Sequence, residues 1–161
     1  MTIKMQVLLE VGICCRDIDV LGRFYQDVLG FTFVSKVVMS AEAAREVGLS
    51  NAGYTVVRLQ TPYGERIKLL APERRPDTLG SGHILDRLNA TYLTFIADDI
   101  DQLIPDLKAG GATFVTGERL IQLRAGVKAM FCRDPEGNVL ELVEYADLNT
   151  YRPDLNVDRS A

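Results

Sequence analysis

The residue types that do chemistry are few, and their spacing excludes a good deal. His83 is the only histidine in 161 residues. One histidine excludes every site that needs two, including a two-His-one-carboxylate iron centre and an HExxH zinc helix. The cysteines are Cys14, Cys15 and Cys132. An odd number without framework spacing argues against a disulfide-built secreted domain, and a reducing cytoplasm is the expected compartment. Cys14 and Cys15 are adjacent, so on a strand they point to opposite faces. Cys14 is a candidate ligand contact, against the commoner fate of a buried, inert thiol. Arg58 lies on a strand ahead of a tight turn. Facing inward it could grip a substrate carboxylate through two N–H groups; facing outward it is merely solvated. His83, in LGSGHILDR, is a candidate base or ligand, or simply a surface loop residue. No GxxxxGK[ST] or GxGxxG phosphate loop and no GxSxG elbow is present.

Composition narrows the class. Hydrophobic residues make up 47% and charged residues 25%, the balance of a globular protein. No apolar run approaches the ~18 residues of a membrane span. The start, MTIKMQVLLEVGICC, carries Glu10 and no small-residue cleavage site, so a strand is expected rather than a signal peptide. Net charge is -4 with scattered Lys and Arg, so neither nucleic acid nor membrane is an expected partner.

The elements that position these residues come as an internal repeat. EVGICCRDIDVLGRFYQDVLGFTFV aligns with YLTFIADDIDQLIPDLKAGGATFV through Asp17-Ile18-Asp19 with Asp99-Ile100-Asp101 and through Thr32-Phe33-Val34 with Thr113-Phe114-Val115. Thr61–Gly64 aligns with Asp134–Gly137, and the following strands Arg66–Leu70 and Val139–Val143 correspond. Each unit opens on a strand, Val7–Cys14 or Thr91–Ile96. An apolar helical stripe follows: Leu21, Phe24, Tyr25, Val28 and Leu29, or Ile100, Leu103, Ile104 and Leu107. Asp99 is the expected N-cap of the second helix, and Pro105 inside it should distort it unless the helix starts late. Three strands complete each unit, giving βαβββ twice. The expected organisation is a first module over 1–70 with an insertion at 35–53 that carries a short helix, Ala41–Val47. A linker over 71–90, a second module over 91–146 and a polar tail over 147–161 follow.

At VGICCRDIDVLGRFYQDVLGF, FIADDIDQLIPDLKAGGATFV and FCRDPEGNVLELVEY the chain resembles the glyoxalase/bleomycin-resistance/dioxygenase family, the vicinal-oxygen-chelate superfamily. The resemblance spans about residues 7–146. It implies an α+β fold: two βαβββ modules forming one open, cup-shaped mixed sheet with helices on the outer face. It also implies a homodimer and a divalent metal in the cup that chelates two substrate oxygens. The family's metal ligands fall at Glu10, Lys68, Tyr92 and Glu141, and only Glu141 keeps an expected ligand type. Strand alternation puts Leu8, Glu10, Gly12 and Cys14 on the concave face, with Tyr92, Thr94 and Ile96, and Val139, Glu141 and Val143. A pseudo-twofold would bring the four positions together. An ammonium at Lys68 would sit beside the metal position. Unit charges ~4 Å apart repel by roughly 4 kcal/mol at an effective dielectric of about 20, and a divalent ion by about twice that. Glu10 and Glu141 would hold Lys68 protonated. The expectation is no tightly bound metal or other cofactor, with a weak hard cation on Glu10, Glu141 and Tyr92 left open.

Two functions compete, with an accessory subunit carrying a vestigial site as a third reading. One is a metal-independent lyase or isomerase acting on a small oxygenated carbonyl compound. Glu10 or Glu141 would move a proton while Lys68 and Tyr92 polarise the carbonyl, with Arg58, Cys14 and His83 as substrate contacts. The other is a metal-free protein that sequesters an antibiotic-like ligand. An inert ion network around Lys68 is the bland alternative to both.

Overall fold

The computed structural model describes residues 8–76, 83–86 and 90–153. The chain divides into two compact units, Met1–Ser81 and Gly82–Ala161. Each is an α+β module with its own sheet and its own helix-covered core.

In the first, β1 (Glu10–Cys14) leads into α1 (Ile18–Arg23), which continues as a π-helical turn over Phe24–Val28. Asp17 caps α1 by accepting from the backbone N–H groups of Asp19 and Val20. The turn ends at Gly30, whose φ of 71° suits a residue without Cβ. Next come β2 (Thr32–Met39), α2 (Ala41–Glu46), β3 (Tyr54–Gln60) and β4 (Arg66–Pro72). The sheet order is β1-β4-β3-β2, with β1 parallel to β4 and the other pairs antiparallel. Alternation sends Ile13, Val57, Leu59, Ile67 and Leu69 into the core, where α1 supplies Leu21 and the π-turn supplies Phe24 and Tyr25. Ser40 caps α2 through the Ala43 N–H. The buried Ala44 of α2 packs with Tyr54 and Val56, and Met39 and Leu70 adjoin them. The insertion helix therefore covers one end of the sheet face opposite α1.

The second module runs β5 (Tyr92–Ile96), α3 (Ile100–Ala109), β6 (Thr113–Phe114), β7 (Ile121–Arg124), β8 (Val127–Arg133), β9 (Val139–Tyr145) and α4 (Leu148–Tyr151). The order is β5-β9-β8-β6, β7 also pairs with β8, and β5 is parallel to β9. The two short strands β6 and β7 take the place that β2 fills in the first module. Ile100 and Leu107 of α3 pack on the face carrying Met130, Cys132, Leu140 and Leu142. Burial pushes the Cys132 thiol up to about 11, with the Asp134 charge adding to it.

Several expectations change here. Asp99 has φ of 48° and makes no capping bond; instead the Ile100 N–H donates to the Glu144 carboxylate on β9. α3 runs through Pro105 from Ile100 onward, so the missing N–H leaves the helix continuous. Residues 148–151 of the expected polar tail form α4, because Asp147 caps it and Tyr151 stacks on Tyr145 at 3.8 Å between centroids. Of the expected linker, 71–72 belong to β4, and Ile84–Asp86 form a single 3-10 turn. Residues 77–82 and 87–89 lie outside the described set.

Candidate functional site

The chemistry-bearing residues lie on the sheet face turned away from α1 in the first module and from α3 in the second. In the first module, β1 and β4 set Glu10 opposite Arg66 and Gly12 opposite Lys68. β3 sets Arg58 opposite Lys68 and Gln60 opposite Arg66. Partners in a ladder share a face, so Glu10, Arg58, Arg66 and Lys68 form one polar group. Lys68 Nζ lies 3.7 Å from Glu10 Oε2, and Arg66 lies 3.6 Å from Glu10 Oε1. Arg66 Nε also donates to Gln60 Oε1 at 2.6 Å. Arg58 donates to the Ser35 hydroxyl at 3.4 Å. The Lys68 side chain is 33% exposed, so it is half-buried yet reachable from solvent. Beyond Lys68 and Arg58 the face turns apolar at Leu70 and Val56, under α2.

Cys14 pairs with Leu70 on this face and is exposed. The buried, inert thiol expected of it is found instead at Cys15, since alternation turns one of two adjacent residues into the core. Arg66 was missed from the sequence. The signal was available: Arg66 and Lys68 are two apart on one strand and must share a face.

In the second module Thr94 lies opposite Glu141, and its hydroxyl donates to Glu141 Oε2 at 2.7 Å. Tyr92 is 47% exposed and makes an edge contact with Phe131 at 6.3 Å between centroids. Tyr145, two strand steps beyond Glu141 on the same face, has its phenol pushed up to about 12, by burial first and by its hydrogen bond to Tyr151 second. Phe131 and Tyr145 carried no assignment from the sequence, and Thr94 was placed on this face without a role. The signal for Thr94 and Tyr145 was alternation, and Phe131 becomes visible only through its pairing with Glu141. His83 is exposed at the start of the 3-10 turn, where its backbone N–H donates to Asp86 at 3.2 Å.

Neither group suits the divalent ion that the family resemblance implies. Glu10 is already engaged by two cations, and an ammonium occupies the position of a carboxylate ligand. Among the described residues no three His, Cys, Asp or Glu side chains converge as a ligand set. The Asp134–Gly137 turn is structural. Asp134 is 2% exposed and its carboxylate accepts from the backbone N–H groups of Glu136 and Asn138 and from the Asn138 amide.

Residues 7–142 match the Glyoxalase/Bleomycin resistance protein/Dioxygenase superfamily. The chain is 29% identical over 138 residues to the uncharacterized protein YaeR of Escherichia coli, covering 84% of this chain and 93% of that protein. Among solved structures it resembles a glyoxalase family protein from Bacillus cereus, with a TM-score of 0.70 and 23% identity over 89% of this chain and 97% of that one. A glyoxalase I from Leishmania major gives a TM-score of 0.63 at 17% identity, covering 93% and 94%. At these identities the structural likeness is one of fold. Among the described residues no helix is long and apolar enough to cross a membrane.

Proposed function

The chain belongs to the glyoxalase/bleomycin resistance/dioxygenase superfamily, and from that premise we propose a lyase or isomerase that moves a proton on a small carbonyl compound without a tightly bound metal. The reading is carried by Lys68, whose ammonium stands 3.7 Å from the Glu10 carboxylate where the family resemblance implies a metal-binding glutamate. A carboxylate takes the proton from the carbon next to the carbonyl, and the electron pair moves onto oxygen as an enolate. The Lys68 ammonium donates to that oxygen and so favours the charge that develops there. The carboxylic acid then returns a proton to that carbon, which exchanges its hydrogen with solvent; where the carbon bears a hydroxyl, the proton goes instead to the former carbonyl carbon while the hydroxyl proton passes to the enolate oxygen, which completes an isomerisation without an outside oxidant. Glu10, beside Lys68 in the same module, is the candidate base, and Glu141, held by Thr94 in the second module, is the comparison carboxylate.

The test is exchange of the substrate carbon-bound proton with deuterated solvent, followed by NMR in the presence of a chelator. Lys68→Met should slow exchange by about 100-fold or more, the range of a lost electrophile or acid–base group. Of Glu10→Gln and Glu141→Gln, the variant with the larger loss identifies the base. Exchange unaffected by all three substitutions, or abolished by the chelator alone, defeats the scheme.

The aromatic set of the second module, with Tyr92 on Phe131 and Tyr145 on Tyr151, favours a second reading: a protein that sequesters a flat ligand by stacking. Stoichiometric binding of such a compound, recovered unchanged, would favour it over turnover.

A further inference from the structure

We propose that Arg58 and Lys68 form a carboxylate subsite, so that the substrate is a carbonyl compound bearing a carboxylate, as in a 2-oxo acid. The observation is a like-charge pair built into the middle of a sheet. Arg58 lies opposite Lys68 in the antiparallel β3–β4 ladder, where matched cations destabilise a sheet. Arg66 adds a third cation on the same face. The carboxylate answering this group is Glu10, which reaches Arg66 and Lys68. Among the described residues no carboxylate lies within ion-pair distance of Arg58. Among the described residues its one side-chain hydrogen bond is to Ser35, at 3.4 Å, which leaves most of its N–H fork for a ligand. The pair also abuts the apolar cluster of Val56, Leu70 and Ala44, which lowers the local dielectric and strengthens the hold on an anion. A general basic character does not account for it, since the chain carries a net charge of -4.

The anion is a carboxylate rather than a phosphate for two reasons. A planar two-oxygen group matches the guanidinium fork with the ammonium as a point charge alongside. Glu10, beside Lys68, repels a dianion more strongly than a monoanion. The inference rests on the small carbonyl substrate proposed above, but its test needs no turnover.

Binding of pyruvate, of its uncharged methyl ester and of inorganic phosphate to the full chain is measured by NMR titration. Pyruvate should bind, with the ester at least about tenfold weaker, as the loss of a charge-assisted pair dictates. Arg58→Gln should weaken pyruvate by about tenfold, while Arg66→Gln, already engaged by Gln60 and Glu10, should weaken it less. Arg58→Met should leave the melting temperature of the ligand-free protein unchanged or higher, because it removes the like-charge pair. A residue with a purely structural role would lower it. No pyruvate binding, equal binding of the ester, tighter binding of phosphate, or unchanged binding in Arg58→Gln each overturns the subsite. If pyruvate binds as expected but shows no proton exchange, the acid–base reading fails and the subsite stands.

Discussion

The two modules share a pairing plan and carry opposite chemistry on it. In the first, the parallel β1–β4 ladder places Gly12 opposite Lys68; in the second, β5–β9 places Thr94 opposite Glu141. One rung thus holds an ammonium in one module and a carboxylate in the other. Around Lys68 the face is cationic, with Arg58 and Arg66. Around Glu141 it is aromatic, with Tyr92, Phe131 and Tyr145. The β-ladder decides which way a side chain points and leaves its chemistry free, because hydrogen bonding along the sheet uses only the backbone. A fold built of two such units can change the chemistry of one face without disturbing the core behind it.

The largest effect that would sharpen this contrast lies in the paired turns. Thr61–Gly64 and Asp134–Gly137 close with the same backbone bond, from Gly64 to Thr61 and from Gly137 to Asp134. Only Asp134 is buried. Asp134→Ala strands the part-buried N–H donors of Glu136 and Asn138 and should cost about 3 kcal/mol, against about 0.5 kcal/mol for Thr61→Ala, whose bonds to the Tyr63 N–H and to Glu65 lie in an exposed turn. Denaturant unfolding of the two variants checks this, and equal costs would break the distinction.

Next come the helix caps. Asp17→Ala should lower the denaturant midpoint, while Asp99→Ala should leave it almost unchanged, because the first turn of α3 is served by Glu144 from β9. Glu144→Ala should resemble Asp17→Ala in the same unfolding experiment. The Val20 N–H bond, the largest influence, holds the Asp17 carboxyl below its ordinary value. Its contribution is therefore present above the unfolded pKa of 3.8 and lost as pH falls through the lower folded value.

The smallest effect concerns the stacked rings of the second module. Tyr145 holds its proton more tightly folded than unfolded, so its contribution is complete below pH 10.0 and lost as pH rises toward about 12. Tyr151→Leu should lower the Tyr145 midpoint toward 10.0, read as tyrosinate absorbance against a Tyr145→Phe blank. An unmoved midpoint would leave the strand environment alone responsible.

Local signals identified most of the fold. The stripe from Leu21 to Tyr25, the short insertion helix and the turns ending at Gly64 and Gly137 are properties of neighbours in the chain, and each appears where the spacing predicts. Glu144 capping α3 was not legible, since 44 residues separate it from Ile100. Nor was the burial of α2 against Tyr54 and Val56, or the stacking that turns residues 148–151 into a helix. Of the candidate site, alternation placed Glu10 and Glu141 on the sheet face away from the helices, and the structure has Glu10 paired with Arg66 and Glu141 with Thr94 there.

The sequence alone determined the two βαβββ units and the alternation of faces along their strands, because periodicity and turn chemistry act between near neighbours. Tertiary structure decided which charges meet. Glu10 answers Arg66 and Lys68 but not Arg58, and Thr94 holds Glu141. Those contacts depend on strands distant in sequence arriving side by side, and a linear pattern does not encode distances of that kind.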